Sequence, residues 1–247
     1  MEEDEGVVIE PRRIPEDPLL DHPIILVLFE PYMDVLGKEL NLKKSSLQRI
    51  RFPSMNYACT RIDGRKISLC GTPLGAPHAA LILERLIVMG ATQIVVFGCC
   101  GSLQPGLSFG HLVIPTGALS EEGTSVHYPL PKGAAMRADE KITHLCLEKS
   151  RDKKFPAVSG KVWTTDALFR ETRSKVKKYA SMGLLAVEME MSALFTVAAF
   201  RQIQLGGLLV VSDELATLRW KTGFLNPFFW LNSKKAARLA IEVGLSL

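Results

Sequence analysis

The chain has few cysteines, and no two of them have the spacing of a metal or redox motif. Five occur, namely Cys59, Cys70, Cys99, Cys100 and Cys146. An odd number without a C-x-x-C pair predicts reduced thiols and no zinc site. The early apolar run from Ile24 to Phe29 is too short to cross a bilayer. The first residues are acidic where a signal peptide is basic, so we expect a cytoplasmic protein.

Strong charge is also missing. The net charge is +4 over 247 residues, without a long block of one sign, which argues against nucleic-acid binding. The basic residues Lys175, Lys177 and Lys178 are best explained as a solvated helix face. With 47% apolar residues and this length, the chain can form one large domain with a full core.

Hydrophobic patterning predicts an α/β domain around a central, covered sheet. Residues 1–20 are acidic and proline-rich and predict a flexible or surface-draped arm, whereas residues 21–247 predict a single domain. Strands are expected at 24–29, 57–61, 66–71, 94–97, 111–115, 160–164 and 207–211. Helices are expected at 32–42, 78–89, 141–149, from the glutamate run at 188–190 to about 200, and at 232–245.

Three polar clusters follow or end predicted strands. They are the glycine-rich turn expected from Gly98 to Ser102, the run from Glu188 to Glu190, and the pair Ser212 and Asp213. Ligands of α/β proteins gather where strand ends and loops converge. The three clusters are therefore candidates for one site.

Two carboxylates flank a methionine in the run Glu188-Met189-Glu190, inside an otherwise apolar stretch. An unpaired buried carboxylate is costly, so this pattern indicates a bound or paired partner. Acceptors beside a soft apolar surface suit a ribose that carries a base.

Single residues leave alternatives open. Asp213 fits a general acid in a partly dry site, or the N-cap of a following helix. The glycines around Cys99 fit an anion cradle or a simple tight turn. Phe169 fits a base-stacking ring or, more commonly, a core residue.

In order, the glycine-rich turn, Asp-Ala-Leu-Phe at 166–169, Val-Glu-Met-Glu at 187–190 and Val-Ser-Asp at 211–213 resemble the nucleoside phosphorylase and nucleosidase superfamily. That superfamily contains hexameric purine nucleoside phosphorylases, uridine phosphorylases and methylthioadenosine nucleosidases. The resemblance runs from about Pro23 to the end of the chain. It implies a three-layer α/β/α sandwich with a central mixed β-sheet, and a homo-oligomer, dimer or hexamer. It also implies no metal or organic cofactor, with phosphate as a possible co-substrate.

The resemblance implies roles for two groups of residues. At the sugar, Glu190 would hold the ribose hydroxyls, Met189 would pack on the ribose, and Glu188 would line the pocket. At the base, the residues implied are Phe169 as the stacking ring, Val187 as lining, Asp213 as the acid that protonates a purine, and Ser212 as its orienting neighbour. Asp213 favours a purine, because uridine-specific members generally lack this acid.

The chain departs from the phosphorylases where they grip phosphate. Phe29 replaces a glycine, and Met33 and Val96 replace two arginines whose fork normally binds the anion. Gly98 and Cys99 remain in the expected nucleophile region, and Arg49 or Arg51 could be supplied by a neighbouring subunit.

The nucleosidases use a carboxylate near this loop to activate water. Asp34 is the nearest candidate and Glu30 its rival. Phosphorolysis and hydrolysis therefore both stay open, as does a nucleoside-binding protein with little or no turnover.

Overall fold

Helices and strands alternate along the chain in a computed structural model that describes residues 6–43, 46–50, 55–72, 74–130 and 132–247. The strands are β1 (Ile24–Val27), β2 (Gln48–Ile50), β3 (Met55–Ile62), β4 (Arg65–Gly71), β5 (Gln93–Ser102), β6 (Leu112–Glu121), β7 (Ala157–Thr165), β8 (Ala186–Glu188), β9 (Gln204–Glu214) and β10 (Lys221–Thr222). The helices are α1 (Glu30–Glu39), α2 (Ala76–Val88), α3 (Glu140–Asp152), α4 (Arg173–Ser181), α5 (Met191–Arg201) and α6 (Pro227–Gly244). Single 3-10 turns cover Ser125–His127 and Leu168–Arg170.

The strands form one mixed sheet in the order β10-β9-β6-β7-β8-β5-β1-β4-β3-β2. Strand β1 runs parallel to β4 and to β5, and β5 also runs parallel to β9. The carboxyl ends of these four strands therefore lie at one edge of the sheet. Strand β9 also pairs with β5, which closes β5, β9, β6, β7 and β8 into a ring. The sequence did not predict this closure.

Helices cover both faces of the sheet, because side chains along β1 alternate between two cores. Ile24 and Leu26 pack in a core with α2 and α5, whereas Ile25 and Val27 pack in a core with α1, α3 and α6. A strand buried on both faces is apolar throughout, as β1 is. The predicted three-layer α/β/α sandwich with a central mixed sheet is confirmed.

Backbone geometry shows why the chain reverses at two places. Asp63 and Gly64, with φ of 48° and 80°, join β3 and β4 in an antiparallel hairpin. Gly90, with φ of 108°, follows the end of α2 in a conformation that a side chain would disfavour.

The turn predicted from Gly98 to Ser102 is wrong, because β5 continues through these residues as a strand. A Cβ on Gly98 would lie 3.1 Å from the Leu28 Cβ, so the glycine permits close packing of neighbouring strands. The register with β9 shifts between Cys100 and Gly101. Glycine at this place therefore signals a bulge and close approach rather than a reversal.

The end of the predicted arm packs on the domain. Arg85 on α2 forms an ion pair with Asp17 at 2.5 Å, and both side chains are largely buried. Leu20 is fully buried and its backbone N–H donates to the carbonyl of Met89. None of the helices in the described parts of the chain is long and apolar enough to span a membrane.

Candidate active site

Two of the predicted polar clusters meet beside Cys99 at the sheet edge where β4, β5 and β9 end. The N–H of Gly75, which follows β4, donates to Glu190 Oε1 at 2.7 Å. Burial, together with the charges of Glu190 and Asp213, raises the pKa of the Cys99 thiol to about 12, against a hydrogen bond with Ser212 that lowers it. The thiol is therefore neutral near pH 7 and lies within electrostatic reach of both carboxyl groups.

Glu188 is buried, and the chain itself satisfies both of its oxygens. The Thr164 hydroxyl donates to Oε1, and the N–H groups of Glu190 and Met191 donate to Oε2 at 2.6 and 2.7 Å. Those amides belong to the first turn of α5, whose donors have no partner within the helix. Glu188 thus fixes the start of α5 and the backbone that carries Glu190.

Glu190 is 4% exposed and shares its surroundings with Glu188. Burial, followed by the charge of Glu188, raises the pKa of Glu190 to about 8, against the N–H groups of Gly75 and Met189. Burial likewise raises the pKa of Glu188 to about 7. The pair therefore retains a proton near neutral pH, which lowers the cost of burying two carboxyl groups together.

A third buried carboxylate, Glu122, supports this pair and was not predicted. It accepts hydrogen bonds from Ser120 and Ser192 hydroxyls at 2.7 and 2.8 Å and from the N–H groups of Thr124 and Ser125. Burial alone would raise the pKa of Glu122, but hydrogen bonds from Ser125, Ser120 and Ser192 lower it. The signal in the sequence is weak, since Glu122 precedes only a short polar loop.

A hydrogen-bonded chain joins Glu122 to Glu188. The Ser192 hydroxyl donates to Glu122, and the Ser192 N–H donates to the Thr164 hydroxyl at 3.0 Å. Thr164 in turn donates to Glu188. Three elements, β6, β7 and α5, are thereby held in register beneath the glutamate run.

Asp213 lies near the end of β9 and is half-buried. Ser212 Oγ donates to its Oδ1 at 2.7 Å, and Trp220 Nε1 donates to its Oδ2 at 3.1 Å. Burial raises the pKa of Asp213 and outweighs these two donors. A Cβ on Gly101 would lie 2.8 Å from Oδ2, so the glycine makes room for the carboxyl group. The residue is not an N-cap, because β9 continues to Glu214.

A second carboxyl group beside Asp213, Glu171, was not predicted. Burial, followed by the charge of Asp213, raises the pKa of Glu171 to about 7. It directly follows the 3-10 turn that contains Phe169. Trp220 was also missed as a partner of Asp213, because the hairpin that returns it to β9 has no strong turn signal.

The predicted apolar site residues are distributed between the surface and the core. Phe169 is 90% exposed, which fits a ligand contact better than the core role that is more common for phenylalanine. Met189 is half-buried between the two glutamates. Val187 is buried with Trp163 and Leu215, so its side chain belongs to a small core beside the site.

An aromatic cluster occupies the corner after β1 where phosphate-binding relatives would need a glycine. Phe29 packs edge-on against Tyr32 with ring centroids 5.1 Å apart, and lies 5.7 Å from Phe224 and 6.4 Å from Trp230. Met33 and Val96, at the two expected arginine positions, are both buried. Neutral, close-packed side chains thus fill the three anchoring positions.

The two candidate water-activating carboxylates lie around a separate cavity. Glu30 and Asp34, one turn apart on α1, line a space of about 380 Å³ together with Asn56 of β3. Its lining includes neither Glu190 nor Asp213. The candidate Arg51 lies outside the described residues, and the backbone of Arg49 belongs to β2.

The described residues contain no group of three or more His, Cys, Asp or Glu side chains arranged to hold a metal ion. The residues at the site offer carboxyl groups, hydroxyls, backbone amides and aromatic rings. A buried carboxyl group of raised pKa can act as a proton donor, and a second can accept hydroxyl hydrogen bonds.

The chain matches a known protein family. The model of the phosphorylase superfamily matches residues 24–243. The chain is 31% identical over 153 residues to a guanosine phosphorylase of Halorubrum lacusprofundi, covering 62% of this chain and 63% of that protein. It thus spans just under two thirds of that relative's length. The chain belongs to the phosphorylase superfamily.

Solved structures with the same fold act on different bases. A uridine phosphorylase from Vibrio fischeri ES114 superposes with a TM-score of 0.78 at 22% identity, over 93% of each chain. A purine nucleoside phosphorylase from Toxoplasma gondii, in complex with immucillin-H, superposes with a TM-score of 0.81 at 19% identity, over 98% of this chain and 97% of that one. At such identities the likeness establishes the fold, and function must be argued from the site.

Proposed function

We propose that this protein cleaves the N-glycosidic bond of a purine nucleoside. The observation that carries the proposal is that Asp213 pairs with Gly101 of β5, and that the charges of Asp213 and Glu190 both act on the thiol of Cys99, two residues earlier on that strand. One carboxyl group suits the ribose hydroxyls and the other suits the leaving base. The 31% identity to a guanosine phosphorylase supports a purine.

In the reaction, Asp213 donates its proton to a ring nitrogen of the purine. The electron pair of the C–N bond passes to the base as the bond breaks, and positive charge develops on the ribose. A positioned acid of this kind typically contributes about 100- to 10,000-fold in rate. Glu190 accepts hydrogen bonds from the ribose hydroxyls, and carboxylate charge nearby favours the developing cation.

The other predicted residues support these two. Glu188 holds the start of α5, and Ser212 orients Asp213 through its hydroxyl. Met189 packs against the sugar, and Phe169, whose side chain is largely exposed, stacks on the base. Val187 acts through packing behind Glu188.

Water is the nucleophile that the site supports better: its oxygen bonds to the anomeric carbon as the C–N bond breaks, and its proton passes to solvent, which gives free ribose. Phe29, Met33 and Val96 place apolar side chains where phosphate would need cations, and neutral groups do not replace an arginine fork. Glu30, exposed beside this corner, would repel phosphate. Phosphate remains the alternative co-substrate if Arg51, or an arginine of a second subunit, enters the site. No organic or metal cofactor takes part in either route.

The test is a panel of purine and pyrimidine nucleosides assayed with and without phosphate, with product analysis. We expect a purine nucleoside to give free ribose at a rate that changes little with phosphate. Ribose 1-phosphate and saturable activation at low phosphate would restore phosphorolysis. Binding of a nucleoside without turnover on any substrate would make the chain a nucleoside-binding protein.

We also propose that the protein is a homo-oligomer in the cytoplasm. Leu225 and Leu231, 96% and 52% exposed, leave apolar surface near the start of α6, and such surface is commonly covered by a subunit. All five cysteines are free thiols, as a reducing compartment favours. Sedimentation velocity at micromolar concentration tests the assembly, and a monomer would contradict it.

A further inference from the structure

The chain between β9 and β10 folds back over the carboxyl group of Asp213. The Leu215 N–H donates to the Ser102 carbonyl, and Leu218 closes the reversal with φ of 59° and a bond to the Leu215 carbonyl. Strand β10 then pairs antiparallel with Asp213 and Glu214. Trp220, directly before β10, is thereby brought to Asp213.

With Trp220 in this position, each oxygen of Asp213 accepts a hydrogen bond. Ser212 donates to Oδ1 and the indole N–H of Trp220 donates to Oδ2, at 2.7 and 3.1 Å. Donors of this kind stabilise the ionised carboxylate. A purine nitrogen that takes a proton from Asp213 needs one of these oxygens to carry that proton. The indole bond therefore opposes the form of Asp213 that the reaction requires.

Trp220 is also more exposed than is usual for so large an apolar side chain. Its side chain is 63% exposed, and Phe169 on a different loop is 90% exposed. Two exposed aromatic side chains therefore lie on loops that both reach Asp213, since Glu171 follows the Phe169 turn and senses the charge of Asp213. Aromatic rings at a site mouth provide flat apolar surface for a heterocycle.

We propose that Trp220 is a positioning residue for Asp213 and, with Phe169, an aromatic wall of the base site. Its N–H holds Asp213 as the carboxylate while the site is empty. When a purine enters, the indole gives up Oδ2 and packs on the base, and Asp213 takes a proton from solvent that it then donates to the ring nitrogen. This inference rests on the proposed cleavage of a purine nucleoside.

Several titratable groups face Asp213, and their effects on its pKa must be distinguished from the effect of Trp220. Glu171 follows the 3-10 turn, and burial raises its pKa to about 7. The thiols of Cys99 and Cys100 on β5 are kept neutral by burial. The pair Lys221 and Glu214, 3.8 Å apart, lies on the two strands that carry Trp220 and Asp213. All tests are therefore repeated in a Glu171→Gln background, which removes the titration of that group.

The test compares Trp220→Phe, which keeps a ring and loses the donor, with Trp220→Ala, which loses both. The pKa of Asp213 is measured in the empty protein by carboxyl ¹³C NMR, and the basic limb of the kcat/KM profile is measured with the best purine nucleoside. Both variants should move the pKa and the limb upward by about half a pH unit, which is about threefold in rate on that limb.

Binding of a free purine base, measured by calorimetry, separates the two roles. Trp220→Phe should bind it as wild type does, and Trp220→Ala should bind it several-fold more weakly. Trp230→Phe removes an indole donor that bonds the Phe224 carbonyl, and should leave the pKa of Asp213 in place.

The outcomes distinguish this inference from the proposed function. An unchanged pKa of Asp213 in Trp220→Phe overturns the positioning role, and unchanged base affinity in Trp220→Ala overturns the wall. A wild-type protein that cleaves no nucleoside, yet shows the NMR shift and the affinity loss, refutes the proposed cleavage and leaves the Trp220 assignment intact.

Discussion

The proposed base end of the site, around Asp213, and the proposed nucleophile end, around Phe29, differ in chemical composition. Around Asp213, donors, a second carboxyl group and two exposed aromatic rings leave groups free to meet a ligand. Around Phe29, rings pack on one another and fill the corner. Under the proposed function, the site keeps groups that suit the leaving base, whereas packed rings occupy the corner where an anionic nucleophile would need cations. The comparison predicts large chemical effects at one end and small structural effects at the other.

The largest expected effect is at the acid. Asp213→Asn keeps the shape and removes the proton donor, so turnover should fall by about 100- to 10,000-fold while nucleoside affinity changes little. Steady-state rates and calorimetric binding measure the two quantities. Asp152→Asn, an exposed change at the end of α3, is the matched control. A variant that retains more than a tenth of wild-type turnover would remove Asp213 from the role of acid.

The two neighbouring glutamates should separate into chemistry and stability. Glu190→Gln weakens the hold on the ribose hydroxyls, and we expect kcat/KM to fall by about 10- to 150-fold, the equivalent of one charged hydrogen bond. Glu188→Gln sets an amide against three donors, so the free energy of unfolding should fall by about 1–3 kcal/mol.

Urea unfolding and initial rates on both variants make this comparison. Equal losses of stability in the two would show that Glu190, too, serves mainly the fold. A catalytic defect of Glu188→Gln that persists at low temperature, where the variant is folded, would assign Glu188 directly to the ligand.

The pH dependence of stability follows from the same pair. Burial raises the pKa values of Glu188 and Glu190 from 4.5 to about 7 and about 8. Between pH 4.5 and about 8 the native state therefore binds more protons than the unfolded chain. The resulting contribution to the free energy of unfolding is complete below pH 4.5 and is lost as the pH rises to about 8. Urea midpoints at pH 5, 6.5 and 8 should fall in that order. Glu190→Gln should flatten the decline, and an unchanged slope would contradict the raised pKa.

The smallest effect is expected in the aromatic corner. Phe29→Leu removes ring contacts from a half-buried position and should lower the free energy of unfolding by about 1 kcal/mol. The response of the rate to phosphate should stay as weak as in wild type, because no cation is added. Thermal unfolding and a phosphate titration measure both. A selective loss of phosphate activation would mean that the corner binds the anion after all.

Much of the fold and part of the site follow from local sequence. The apolar run of β1 and the hairpin at Asp63 and Gly64 predict their own structures, because the physical causes act within a few residues. The Glu188–Glu190 run is equally local, and its burial follows from the apolar residues around it. The different surroundings of the two glutamates are not local, because their hydrogen-bond donors come from distant parts of the chain. Thr164 donates to Glu188, and the N–H of Gly75 donates to Glu190.

Long-range contacts account for what the sequence could not predict. Gly98 and Gly101 fit a turn as well as a strand, and only the approach of Leu28 and Asp213 decides between them. Glu122, Glu171 and Trp220 become partners of the site through chain segments that no short motif connects. Such residues are found by the carboxyl groups they contact rather than by their own neighbours in sequence.

The ring of strands β5, β9, β6, β7 and β8 limits how the site exchanges its contents. Each of these strands pairs on both sides within the ring. Strands β8 and β9, which carry Glu188 and Asp213, therefore have no free edge at which the ring could open. Entry and exit therefore depend on the rim, where the segments after β7 and β9 carry Phe169 and Trp220. Under the proposed function, a crosslink between those two segments should slow release of the base.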